Sequence, residues 1–228
     1  MNQKDLMKEL ESLGNEQFRK TYRRHGVQGE LFGVSSAHFA TLKKKIKTDH
    51  DLALQLWKSG NYDARVLATM IADPAKASTV IDDWVKDVDS YPISDAVATY
   101  AAQASIDRKK IEKWMKSKDE WTSSFGWSLF ARVARMDSPF SPEDLAEYLV
   151  EIERDIHQAR NRVKHNMNSA VISIGVRNEA LQKKALAAAA RIGKVDVDHG
   201  NTDCKTPDAT EYIKKTAARL KTKTAKAK

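Results

Sequence analysis

From position 49 onward, apolar residues recur three and four positions apart, in runs separated by two- to four-residue breaks. That period predicts helices at 49–58, 61–72, 74–87, 92–104, 107–116 and 120–136, with glycine, proline, aspartate, serine or asparagine at each junction. Upstream, 3–13 and 15–24 read as two short helices split by Gly14, the second closing on Arg23, Arg24, His25 and Gly26. A turn-rich passage through Gly29 and Gly33 follows, and Ser35 or Ser36 then caps a helix running through Leu42 and Ile46. Its Lys43, Lys44, Lys45 and Lys47 are expected on a solvated face. Downstream, Ser141, Pro142, Glu143 and Asp144 combine a cap, a first-turn proline and acidic residues ahead of Leu145, Tyr148, Leu149 and Ile152. Helices at 162–175 and 179–192 come next, the period fails across 194–207, and a last amphipathic piece covers 207–220. Trp57-Lys58-Ser59-Gly60-Asn61-Tyr62 is weakly similar to the stretch from Trp114 to Trp121, two helix pairs later. Paired helices with internal similarity predict an all-α fold, an α-solenoid.

At the start of the 92–104 helix, Ser90 is placed to cap, Pro92 sits in the first turn, and Tyr91 and Asp95, four apart, share a face. An aromatic ring beside a carboxylate suits an enzyme that stabilises a cation near a nucleobase; a core tyrosine and a solvated acid give the same pattern. If the second helix of each pair lines a concave face, the starts near Tyr62, Tyr91 to Asp95, Trp121 and Arg162 fall along one edge, where free N–H groups suit phosphates. Trp57, Trp84, Trp114 and Trp127 are expected in the core. Trp121 stands apart because it opens a helix. Arg160, Arg162, Lys164 and His165 follow a break and could approach phosphates, or form a solvated face.

Composition agrees with helix. Nine glycines and five prolines in 228 residues are too few for a turn-rich β protein, while 41% hydrophobic residues can supply a core. Cys204 is the only cysteine, so an internal disulfide and a four-cysteine zinc site are excluded. No stretch approaches a membrane span, and 1–14 is charged and amphipathic with no apolar signal core, so a cytoplasmic location is expected. Most of the formal charge of +8 lies at the end: eight basic residues from Lys205 to Lys228, Lys214 and Lys215 among them, face only Asp208 and Glu211. Such a stretch, expected to be disordered beyond 220, would hold nucleic acid electrostatically without reading sequence, or serve only as a solubilising end. Asp198, His199, Asp203 and Cys204 fit no standard metal spacing, and a capping or loop-ordering role is expected there, with no metal.

Taken together, Leu31-Phe32-Gly33-Val34, Leu54-Gln55-Leu56-Trp57-Lys58-Ser59, Tyr62-Asp63-Ala64-Arg65, the Tyr91 to Asp95 helix start, Ile156-His157-Gln158-Ala159-Arg160-Asn161-Arg162-Val163 and Met167-Asn168 resemble the AlkD-like DNA alkylation repair family. The run from Val197 to Ala209 looks like a C-terminal signature of one branch of it. The resemblance implies a right-handed solenoid of HEAT-like helical pairs forming a single domain over 1–206, followed by a C-terminal helix and basic tail over 207–228. It also implies a monomer that binds duplex DNA, a glycosylase activity releasing N3- or N7-alkylated purines, and no cofactor. Asp95 is then the charge-stabilising carboxylate, Tyr91 and Trp121 are aromatic walls, and Arg65, Arg160, Arg162, Lys164, Lys214 and Lys215 contact DNA. Three departures from the family pattern stand out. Tyr91 replaces a tryptophan, Ser123 and Ser124 occupy the positions of an arginine, and no second tryptophan lies in 167–170. They predict a divergent branch with weak excision, a different lesion, or DNA or protein binding alone.

Overall fold

The computed structural model describes residues 1–136 and 139–226, with side chains described up to Arg219 at the C-terminal end. Its helices are α1 (Gln3–Ser12), α2 (Glu16–Arg24), α3 (Ser36–Ile46), α4 (His50–Lys58), α5 (Tyr62–Ile71), α6 (Ala77–Lys86), α7 (Tyr91–Ala101), α8 (Arg108–Met115), α9 (Glu120–Val133), α10 (Pro142–Asp155), α11 (Asn161–Gly175), α12 (Glu179–Ile192) and α13 (Ala209–Lys226). Among the described residues there is no strand. Helix ends fall within a few residues of the sequence expectations, because the capping residues act locally. Ser35 accepts from the His38 amide, Asp49 from Leu52, Asn61 from Ala64 and Asp119 from Thr122. Ser141 and Asp144 form a reciprocal capping box. Two details differ from expectation. Pro74–Lys76 is a separate 3₁₀ turn ahead of α6, and Ser90, though at the cap position of α7, makes no side-chain cap bond and is fully buried.

The chain packs as two compact units, Met1–Ile106 with His199–Asp203, and Asp107–Asp198 with Cys204–Lys228. In the first, α4 pairs with α5, α6 with α7, and α5 lies against α7. Its core includes Leu56, Leu67, Ile71, Ile81, Ile93 and Tyr100, and Trp57 stacks on Trp84 at 4.3 Å and 8°. The carboxylate of Asp63, fully buried on α5, accepts the backbone amides of Phe32 at 2.5 Å, Gly33 at 3.1 Å and Val34 at 2.8 Å. Two of the stretches that carry the family resemblance therefore meet at one carboxylate. Burial pushes the Asp63 pKa up, and the three amides pull it partly back. Gly33 has φ +81°, and a Cβ there would lie 2.5 Å from the Asn15 carbonyl oxygen, so this passage requires glycine.

In the second unit α8 pairs with α9, α9 lies along α11, α10 and α11 both meet α12, and α13 packs on α11 and α12. Ile213 of α13 is fully buried, seated where a Cβ on Gly175 would come within 2.7 Å of its Cδ1. The last helix also runs beyond 220, where the sequence pattern predicts a disordered tail. Its lysines and alanines are strong helix formers, and Ile213 anchors the helix. The remainder of that expected tail, Ala227 and Lys228 with the side chains from Leu220 on, lies outside the described residues. None of the described helices is long and apolar enough to cross a membrane.

Replacing Asp63 with alanine strands three amides and is expected to destabilise the protein by about 3 kcal/mol or more, read from urea denaturation. A second expectation concerns Arg108, whose guanidinium bonds Glu112 at 2.8 Å and Asp144 at 2.7 Å. Arg108 holds the Glu112 pKa below its ordinary 4.5 and the Asp144 pKa below its ordinary 3.8. Carboxylates whose pKa is lowered by folding stabilise the fold above those ordinary values and lose that contribution as pH falls through the lowered ones. Melting temperature should therefore fall with acidification below pH 4.5, and less steeply in Arg108→Met.

Candidate functional site

Tyr91 is the first residue of α7 and Asp95 lies one turn on; both are half-buried. The Tyr91 hydroxyl is hydrogen-bonded to Nδ1 of His25, which ends α2, and the two rings lie 5.5 Å apart at 30°. Tyr91 is thus held by a histidine that sequence reading treated only as the end of a helix. Tyr62, at the start of α5, completes the cluster: its ring is 5.0 Å from that of Tyr22, and Tyr22 is 6.3 Å from the exposed Phe18. Burial pushes the Tyr62 phenol well up, and Tyr22, Asp63, Tyr91 and Asp95 add to the effect. The starts of α5 and α7 therefore share a neighbourhood. Arg65 is otherwise engaged. Its guanidinium lies 5.1 Å from the centre of the Trp57 ring and 3.7 Å from Asp87, which also accepts the Trp57 indole N–H. That charge is neutralised within the fold.

In the second unit, Trp121 is the second residue of α9 and half-buried, whereas Trp57, Trp84, Trp114 and Trp127 are core residues with 5% exposure or less. Ser123 and Ser124 turn inward. The Ser123 hydroxyl donates to the Met115 carbonyl at 2.8 Å. Ser124, at 0% exposure, accepts from Asn166 Nδ2 at both its carbonyl and its hydroxyl oxygen, at 2.8 and 2.9 Å. This seam closes α9 against α11. Arg160 is exposed at the cap position of α11, where its charge helps hold the Asp119 pKa down after the larger effect of the Thr122 amide. Arg162 is buried, and its amide donates 2.8 Å to the Glu120 carboxylate; Lys164 is half-buried. Glu120 thus occupies the N–H end of α11, as Asp119 does on α9 and Asn61 on α5. At each of these three starts one N–H is taken by a side chain of the protein itself, whereas the α7 start has no side-chain cap bond. Lys214 and Lys215 lie exposed on α13.

The stretch singled out for metal or thiol chemistry is a folded loop. The side-chain amide of Asn161 both donates to and accepts from the Asp198 backbone at 2.7 Å, and Thr202 Oγ1 donates to the His199 carbonyl at 2.9 Å. Cys204 is exposed.

The sequence model of the DNA alkylation repair enzyme family matches residues 6–213, and the chain belongs to that family. It is 30% identical to the uncharacterized proteins Lin0241 of Listeria innocua and Lmo0209 of Listeria monocytogenes, each match covering 93% of this chain and 96% of the relative. It also superposes with a TM-score of 0.87 and 33% identity on a solved structure from a new family of proteins related to the HEAT-like repeat DNA glycosylases, with affinity for branched DNA structures. That match covers 96% of this chain and 95% of the other. The fold is accordingly all-helical and HEAT-like.

Three side chains that matter here carry little local signal. His25, Asn166 and Glu120 each act on a helix distant in sequence, and only the inward face of α9, where serines stand among apolar residues, hints that a polar partner is required. Ser124→Arg should therefore destabilise the fold by about 3 to 5 kcal/mol by forcing a cation into a buried seam, with no gain of excision, as thermal melting and a base-release assay would register together.

Proposed function

We propose that this protein is a DNA-binding repair protein that acts as a monomer and favours branched DNA, and that its binding does not depend on excising a base. The observation that carries this reading is the buried Ser124–Asn166 seam, where the family resemblance puts an arginine. Release of an alkylated purine is driven by its own positive charge, so an enzyme must chiefly stabilise the cationic sugar and position water. The arginine in that pattern faces a phosphate, so a seam filled by serine and asparagine removes a charged clamp that would fix the strand for that task, whereas DNA binding needs only accessible cations, such as Arg160, Lys214 and Lys215. Similarity over nearly the whole chain to a protein with affinity for branched DNA supports the same reading.

A second reading is favoured by the half-exposed Asp95 one turn from Tyr91. Here the protein is a glycosylase for N3- or N7-alkylated purines in duplex DNA, with Asp95 stabilising the sugar cation, Tyr91 as an aromatic wall, and no cofactor. Base release from DNA carrying 7-methylguanine or 3-methyladenine separates the two. The first reading expects no release by the wild type or by Asp95→Asn; release that drops about a hundredfold in Asp95→Asn establishes the second.

Binding to a four-way junction should exceed binding to a linear duplex of the same length and salt concentration. Its logarithm should fall with the logarithm of salt concentration by about 0.9 for each phosphate contacted. Equal affinity for the two forms would overturn the preference for branched DNA.

A further inference from the structure

Helix α13 has two faces. Ile213 is buried, Thr216 and Ala217 are half-buried, and together they seat the helix on α11 and α12. At its entry, Asn168 Nδ2 donates to the Pro207 carbonyl at 2.9 Å, and Asp208 accepts the Glu211 amide at 2.8 Å. A face turned away from that seat carries Tyr212, Lys215 and Arg219, spaced three and four apart and hence aligned along one stripe, while Lys214 lies on the other flank of the helix. All four are exposed, and Tyr212, at 51%, is one of the few large apolar side chains left open to solvent.

The cations of this stripe differ from three arginines of the same unit. Arg108, Arg154 and Arg191 are each held within 2.8 Å of a carboxylate. Among the described residues, Lys214, Lys215 and Arg219 form no ion pair. An aromatic ring beside unneutralised cations, on a helix fixed from behind, is poorly explained as a solubilising end, which would need neither the ring nor the anchoring. It suits a polyanion that also offers flat apolar faces. In a duplex the base faces are stacked away, whereas an unpaired strand presents them.

We propose that the Tyr212–Lys215–Arg219 face of α13 binds single-stranded DNA, with Tyr212 stacking on an unpaired base and the two cations holding flanking phosphates. This deepens the branched-DNA reading and rests on it, since the unpaired strand is taken to be an arm or gap of the branched structure. Tyr212 supplies selectivity for unpaired DNA, and the cations supply affinity that does not depend on pairing.

The test is fluorescence anisotropy with three labelled DNAs at fixed salt: a fully paired duplex, a fully paired four-way junction, and a duplex bearing a single-stranded oligo-dT arm. Relative to wild type, Tyr212→Ala should weaken binding to the dT-armed DNA about five- to a hundredfold, leave the paired duplex unchanged, and be rescued by Tyr212→Phe. The double variant Lys215→Ala, Arg219→Ala should weaken all three and lower the salt slope on the single-stranded arm by about 1.4. Both sites are exposed, so unchanged melting temperatures are expected. Deleting everything after Thr206, the change suggested by charge alone, would also remove buried Ile213 and is the poorer test. If the wild type prefers the junction while Tyr212→Ala binds the dT arm as wild type does, this inference is overturned and the branched-DNA reading stands. If the junction is not preferred but Tyr212→Ala still loses the dT arm, the inference stands and that reading is overturned. No binding of any DNA by the wild type would overturn both.

Discussion

The carboxylate of Asp63 holds three consecutive amides of a loop whose glycine spacing leaves it little secondary structure of its own. Buried amides without acceptors would each cost about 1 to 3 kcal/mol, so a single side chain on α5 determines whether the 31–34 passage can lie against the core at all. Much follows from that placement. The Gly33 carbonyl accepts the Asn15 amide just before α2, and the Val34 carbonyl accepts the Tyr22 hydroxyl at 2.6 Å. Helix α2 buries none of its residues fully, so these bonds, more than a hydrophobic face, bring His25 to Tyr91 and Tyr22 to Tyr62.

The second unit relies on a different polar device. Asn166 reaches from α11 into the backbone and hydroxyl of Ser124, while Glu120 takes the Arg162 amide at the start of the same helix. Gly126, whose added Cβ would lie 2.4 Å from the Met115 amide nitrogen, lets α8 approach α9 closely. The result is a tight three-helix layer in which Ser123, Ser124 and Asn166 are hydrogen-bonded across its seams. Such a layer gives rigidity, and it turns Ser123 and Ser124 inward, away from solvent.

Cations sort into two populations. Arg65, Arg108, Arg154 and Arg191 are spent on carboxylates or an indole ring within the fold. Exposed Arg160, Lys214, Lys215 and Arg219 retain a field that reaches solvent. Net charge alone could not separate these groups, because pairing depends on which carboxylates lie within a few ångströms and not on the sum.

Helix positions, the all-α class and the core tryptophans were legible in the sequence because their causes are local: a period near 3.6, a cap, a first-turn proline. Membership of the repair family was legible as well, through stretches such as Leu31 to Val34 and Tyr62 to Arg65. What those stretches do was not legible, since Asp63 meets its amides across about thirty residues of chain. Only tertiary packing decided that Arg162 is buried, that Arg65 is neutralised, that Ser124 faces Asn166, and that α13 is an anchored helix with a free basic face. Each depends on which helix lies opposite. A sequence fixes the spacing of side chains along one helix, but the partner across the seam is chosen by the burial of every face at once.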